Sequence, residues 1–159
     1  MSVGILLITH SGIGSALLNV VYGTFGQLPL EISKLSVSRD PDPDLLVREA
    51  STLVRKLDSG HGALVLTDMF GSTPGNVSQG LQRMGFNIRV IAGLNLPMLF
   101  RVLNYPSLPI DQLAKKAMSG GREGIFEPLT DEVLYPTQNG VSNQNGLVDF
   151  YAPRMIVEP

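Results

Sequence analysis

The sequence predicts an α/β fold: a doubly wound, mostly parallel sheet in the order 2-1-3-4, with helices on both faces. Three observations predict it. Four short apolar runs alternate with segments of helical period, a pattern that implies right-handed crossovers. The first and third runs are apolar almost throughout, as strands covered on both faces must be. Both end abruptly in polar residues, Thr9-His10-Ser11 and Asp68, at the edge where open α/β sheets collect ligands.

Residues 3–9 form the first strand. Ile13, Leu17, Val20 and Val21 then follow helical spacing, with Ser11 or Ser15 at the cap and Gly23 and Gly26 at the exit. Residues 30–37 form the second strand, and its more polar face places it at the outside of the sheet. Asp42 suits a helix cap and Pro43 the first helical position. Leu46, Ala50, Leu53, Val54 and Leu57 make that helix's buried face, and Gly60-His61-Gly62 breaks it. Ala63–Thr67 is the third strand. Ser72 or Thr73 caps a third helix with Pro74 in its first turn; Val77, Leu81 and Met84 face inward and Gly85 ends it. Ile88–Ala92 is the fourth strand. A short helix follows with Met98, Leu99, Val102 and Leu103, then another with Ile110, Leu113, Ala114 and Ala117, stopped by Gly120-Gly121. Residues 124–127 suit one more short strand. From Pro128 the pattern changes: residues 137–146 are polar and aperiodic, so a flexible tail over 128–159 is expected after a single domain over residues 1–127.

Composition narrows the function. The 159 residues carry 12 basic and 14 acidic side chains, a net charge of −2, with no basic cluster. Neither a nucleic acid nor an anionic membrane surface is therefore an expected partner. With no cysteine there are no disulfides, thiolate zinc sites or iron–sulfur clusters, which fits a cytoplasmic protein. Met-Ser-Val-Gly lacks the basic start of a signal peptide, and no apolar run reaches the roughly 18–20 residues of a membrane span.

In the 2-1-3-4 order, strands one and three are neighbours at the switch point, so His10 and Asp68 face each other across one crevice. A carboxylate beside an imidazole fixes its tautomer and stabilises positive charge on the ring, leaving the other nitrogen as a nucleophile. The helix starting at Thr73-Pro74 aims its unpaired N–H groups at the same place. Gly71 permits close approach, and the Ser72 and Thr73 hydroxyls add donors. Histidine, carboxylate and an anion cradle of phosphate size describe a phosphohistidine site that requires no metal and no cofactor. Each feature alone has a plainer meaning. A histidine at a strand end is ordinarily a solvated loop residue, Asp68 a turn former and Ser72-Thr73-Pro74 a helix cap. His61, at the opposite end of the sheet, reads as a surface turn residue, and Phe70 as a lid or contact side chain.

Four segments in order resemble one family: Thr9-His10-Ser11-Gly12; Thr67-Asp68-Met69-Phe70-Gly71-Ser72-Thr73-Pro74-Gly75-Asn76; Ala92-Gly93-Leu94-Asn95-Leu96-Pro97-Met98-Leu99; and Gly121-Arg122-Glu123-Gly124. Over about residues 3–127 the chain is similar to the mannose-family IIA components of the bacterial phosphoenolpyruvate-dependent sugar phosphotransferase system. The family usually has a second glycine where Ser72 stands and an aromatic where Gly75 stands. The resemblance implies that His10 is the phosphorylated histidine, Asp68 its orienting carboxylate, and Gly71, Ser72 and Thr73 the phosphate-binding turn. It implies phospho-HPr as donor and a IIB protein as acceptor. It also implies a homodimer in which the last strand, antiparallel over residues 124–127, is exchanged between subunits. Because the chain stops after a short polar tail, a IIB is expected to sit on a separate chain or to be absent.

Other readings compete. The protein could accept phosphate as a regulator without serving transport, or donate to a dihydroxyacetone-type kinase. Thr9-His10-Ser11-Gly12-Ile13-Gly14 faintly resembles a flavodoxin phosphate loop, but the chain has no Trp and few aromatics near the strand ends to sandwich a flavin. A receiver domain needs an acidic pair after strand one. A metal hydrolase is poorly served by two histidines placed at opposite ends of the sheet.

Overall fold

The computed structural model describes residues 2–127. Elements follow in the order β1 (Gly4–His10), α1 (Ile13–Phe25), β2 (Ile32–Val37), α2 (Pro43–Leu57), β3 (Ala63–Thr67), α3 (Thr73–Arg83), β4 (Ile88–Ala92), α4 (Leu96–Leu103) and α5 (Ile110–Glu123). The four strands are all parallel in the order β2-β1-β3-β4. This is the doubly wound α/β arrangement the sequence predicts, with β1 and β3 in the centre.

Alternation along β1 divides the interior into two cores. Ile5 and Leu7 face Leu18 and Val21 of α1 and the helices α4 and α5; Leu6 and Ile8 face α2 and α3. Residues 5–8 are wholly buried. Each such side chain contributes about 1.5–3 kcal/mol of hydrophobic stabilisation, so β1 is firmly anchored up to its last residues. Edge strand β2 buries only Leu35 and Val37. Asp42 caps α2 as expected, its Oδ1 accepting from the N–H groups of Asp44 and Leu45. No helix among the described residues is long and apolar enough to cross a membrane.

Several local expectations are corrected. β1 continues one residue further, through His10, and β2 starts only at Ile32. The α1 cap is Gly12, at φ +89°, with no side-chain cap from Ser11 or Ser15. The buried face of α1 is Gly14, Leu18 and Val21, while Ile13 and Val20 are exposed. Two apolar stripes run side by side on this helix, and the close fit of Gly14 against Thr9 and Leu7 selects between them. Met84 caps the end of α3 and is exposed, not inward.

Gly120-Gly121 does not stop α5, which runs on to Glu123. The glycines instead let α5 lie against α4. A Cβ at Gly120 would come within 2.8 Å of Arg101 Cγ, one at Gly121 within 2.9 Å of Met98 Cε, and one at Gly124 would overlap the Pro97 ring. Asn95 strengthens this contact: its Oδ1 caps α4 through Met98 N–H, and its Nδ2 donates to the Gly121 carbonyl. Residues 125–127 form no strand within the single chain. The exchanged strand expected over 124–127 would pair with a second copy. The expected tail over 128–159 lies outside the described residues.

Candidate active site

The register of the central pair assembles the site. Ile8 pairs with Thr67, so the residues that follow, Thr9-His10 on one strand and Asp68 on the other, leave the sheet side by side. They do so at the switch point, where β1 connects through α1 to β2 on one side and β3 lies on the other.

One oxygen of Asp68 holds His10 twice. Asp68 Oδ2 accepts from the His10 backbone N–H at 2.9 Å and lies 2.9 Å from the imidazole Nδ1. The aspartate side chain is 9% exposed and the histidine side chain 44%. A buried carboxylate therefore grips the inner ring nitrogen while the ring remains open to a partner. With Nδ1–H donating to Asp68, the lone pair sits on Nε2. Two neighbouring oxygens, Thr67 Oγ1 and Asp68 Oδ1, are buried without a partner among the described residues. Each unpaired group costs on the order of 1–3 kcal/mol.

The backbone after His10 is tied as well. The Thr9 hydroxyl donates to the His10 carbonyl and accepts from the Gly14 N–H, both at 3.0 Å. Ser11 N–H donates to the Val37 carbonyl of β2. Thr9 appears in the sequence motif, yet the motif gave it no role. The signal available was a hydroxyl at the last buried position of a strand, followed by glycine at the start of the next helix.

The turn after Asp68 brings the start of α3 to the same end of the sheet. Gly71 takes φ +77°, a conformation glycine adopts without strain. Ser72 caps α3: its Oγ accepts from Gly75 N–H at 3.5 Å and donates to the Met69 carbonyl at 2.7 Å. This corrects one expectation, because the Ser72 hydroxyl proton is held inside the turn and is not offered to a ligand. The backbone N–H groups of Gly71, Ser72 and Thr73 and the Thr73 hydroxyl make no hydrogen bond among the described residues. A Cβ at Gly75 would approach the Met69 carbonyl to 3.0 Å, a tight contact. Met69 and Phe70 are exposed beside this turn, and Ile13 follows the His10 turn, also exposed.

His61 is placed elsewhere, in the exposed turn that precedes β3. It takes no part in this site.

The family model described as PTS system fructose IIA component matches residues 4–117. The chain belongs to this family. This IIA component of the phosphotransferase system is similar to part of longer curated relatives. The mannose-specific EIIAB component of Escherichia coli K12 is 28% identical over 129 residues, which cover 79% of this chain and 39% of the relative. The Shigella flexneri protein of the same name matches equally. The IIA chain thus spans about 39% of the length of these relatives. Among solved structures, phosphotransferase system component EIIA from Streptococcus agalactiae superposes with a TM-score of 0.67 at 27% identity, covering 79% of this chain and 96% of that one. The mannose/sorbose-specific IIA subunit from Enterococcus faecalis gives a TM-score of 0.72 at 23% identity, over 80% and 96% of the two chains, a likeness of fold. The mannose-family resemblance read from the four motifs therefore stands.

Proposed function

We propose that this chain is a phosphohistidine carrier, a IIA unit over residues 1–127 working in the cytoplasm. In this reading His10 accepts a phosphoryl group from phospho-HPr and passes it to a IIB protein in sugar uptake. The observation that carries the reading is the double grip of Asp68 Oδ2 on His10, at 2.9 Å to both the backbone N–H and Nδ1.

The chemistry follows from that geometry. The Nε2 lone pair attacks phosphorus in line as the bond from phosphorus to the donor's nitrogen breaks and the donor leaves with that electron pair. The ring of His10 gains positive character, which the Asp68 carboxylate balances. The unpaired N–H groups of Gly71, Ser72 and Thr73 stabilise the equatorial oxygens. Onward transfer reverses these steps: the IIB nucleophile attacks phosphorus and His10 leaves. Exposed Met69 and Phe70 serve as contacts for the docking partners.

The dimer belongs to the same proposal. Among the described residues the outer edge of β4 pairs with no strand, and it borders a cavity of about 350 Å³ lined by Ile91, Asn95, Met98, Met118, Arg122 and Ile125. An unpaired strand edge of this kind is a template for a strand from a second copy. The test of the carrier reading is incubation with phosphoenolpyruvate, enzyme I and HPr. The protein should take up acid-labile, base-stable phosphate, and the His10→Ala variant should take up none. Label surviving on that variant would overturn the reading.

A further inference from the structure

We propose that Thr9 is a positioning residue for His10, acting through its hydroxyl; the inference rests on the carrier reading. His10 is held from both sides of its own backbone. Its N–H goes to Asp68 Oδ2 at 2.9 Å, and its carbonyl accepts from Thr9 Oγ1 at 3.0 Å. The same Thr9 oxygen accepts the Gly14 N–H at 3.0 Å, one of the end donors of α1, a helix with no side-chain cap at Gly12. A single hydroxyl therefore closes the turn from strand to helix that carries the nucleophile. Thr9 is 1% exposed, so water does not compete for these bonds. Gly14 is fitted to it: a Cβ there would stand 3.0 Å from Thr9 Oγ1. Asp68 fixes the ring and the N–H side of His10, but nothing in that contact fixes the carbonyl side. Without the Thr9 hydroxyl, the His10 carbonyl and the Gly14 N–H lose their partner, and only the Ser11 N–H bond to the Val37 carbonyl still ties that peptide, so the turn and Nε2 with it gain room to shift. Small displacements of a reacting atom slow transfer while leaving partner docking intact.

The experiment compares wild-type protein, Thr9→Val and Thr9→Ser in the enzyme I and HPr assay, with phospho-HPr varied. Valine keeps the shape of threonine and removes the hydroxyl; serine keeps the hydroxyl. Thr9→Val is expected to lower the maximal transfer rate roughly 10- to 100-fold, the effect of losing the hydroxyl's two hydrogen bonds, with KM for phospho-HPr unchanged. Thr9→Ser should transfer near the wild-type rate. A Thr9→Val protein that transfers as fast as wild type, or a Thr9→Ser protein as slow as the valine variant, would overturn the inference while leaving the carrier reading standing. Wild-type protein that takes no label would overturn both. Should the valine variant not fold, NMR of the wild type decides: the Gly14 amide resonance should move on phosphorylation of His10, and an unmoved resonance would overturn the inference.

Discussion

The two histidines sit at opposite ends of one sheet, each with an aspartate nearby, and they are built for different work. At the amino end, Asp58 Oδ1 accepts the N–H groups of Gly60 and Gly62, both at 2.8 Å, and leaves the intervening His61 exposed. At the carboxyl end, Asp68 Oδ2 accepts the His10 N–H and also meets the ring nitrogen. The first carboxylate organises a turn; the second organises a turn and an imidazole together. Nearness of an acid to a histidine in sequence is thus a poor guide to chemistry. What distinguishes the pairs is that His10 and Asp68 come from adjacent strands, where register aims them at each other, at the end of the sheet that also holds a helix start.

Exchanging the two ends experimentally gives the largest expected effect. His10→Ala should abolish phosphate uptake from phospho-HPr, and His61→Ala should leave it unchanged, measured as label per protein. Label lost in the second variant would break the contrast. Next come the aspartates. Asp68→Asn keeps the shape but removes the charge that orients the ring, and should slow transfer roughly 100-fold. Asp58→Asn should leave the transfer rate alone and lower unfolding stability by about 1–2 kcal/mol, read by urea denaturation. The smallest effect compares glycines. Gly62, at φ +81°, has Asn87 O only 2.6 Å from where a Cβ would go, whereas Gly12, at φ +89°, has open space around it. Gly62→Ala should cost about 2–4 kcal/mol, strain plus overlap, and Gly12→Ala about 1–2 kcal/mol, strain alone. Equal losses would show that the crowding at the amino end does not matter.

The strands and the His10–Asp68 pair were legible because their causes are local or topological. Ala63–Thr67 and Ile88–Ala92 are bounded by glycine and polar residues, and both ends fall where the pattern puts them. Once β1 and β3 are neighbours, their last residues must converge. Features set by a partner across space were not legible. The period of α1 allows either of two apolar stripes, and only the contact with β1 chooses Leu18 over Val20. Gly120-Gly121 reads as a helix stop until α4 is seen pressed against it. Ser72 reads as a ligand donor until the Met69 carbonyl is found 2.7 Å away. Thr9 shows its bonds only when the turn closes. In each case the residue type was plain and the neighbour that fixes its role was distant in sequence or hidden in a turn.

The central claim is that Asp68 occupies one ring nitrogen of His10 so that the other carries the phosphoryl group. Nitrogen-15 and phosphorus-31 NMR of the phosphorylated protein tests it most directly. The phosphorus should be bonded to Nε2 of His10, with Nδ1 protonated and hydrogen-bonded. Phosphorus on Nδ1, or on His61, would contradict it.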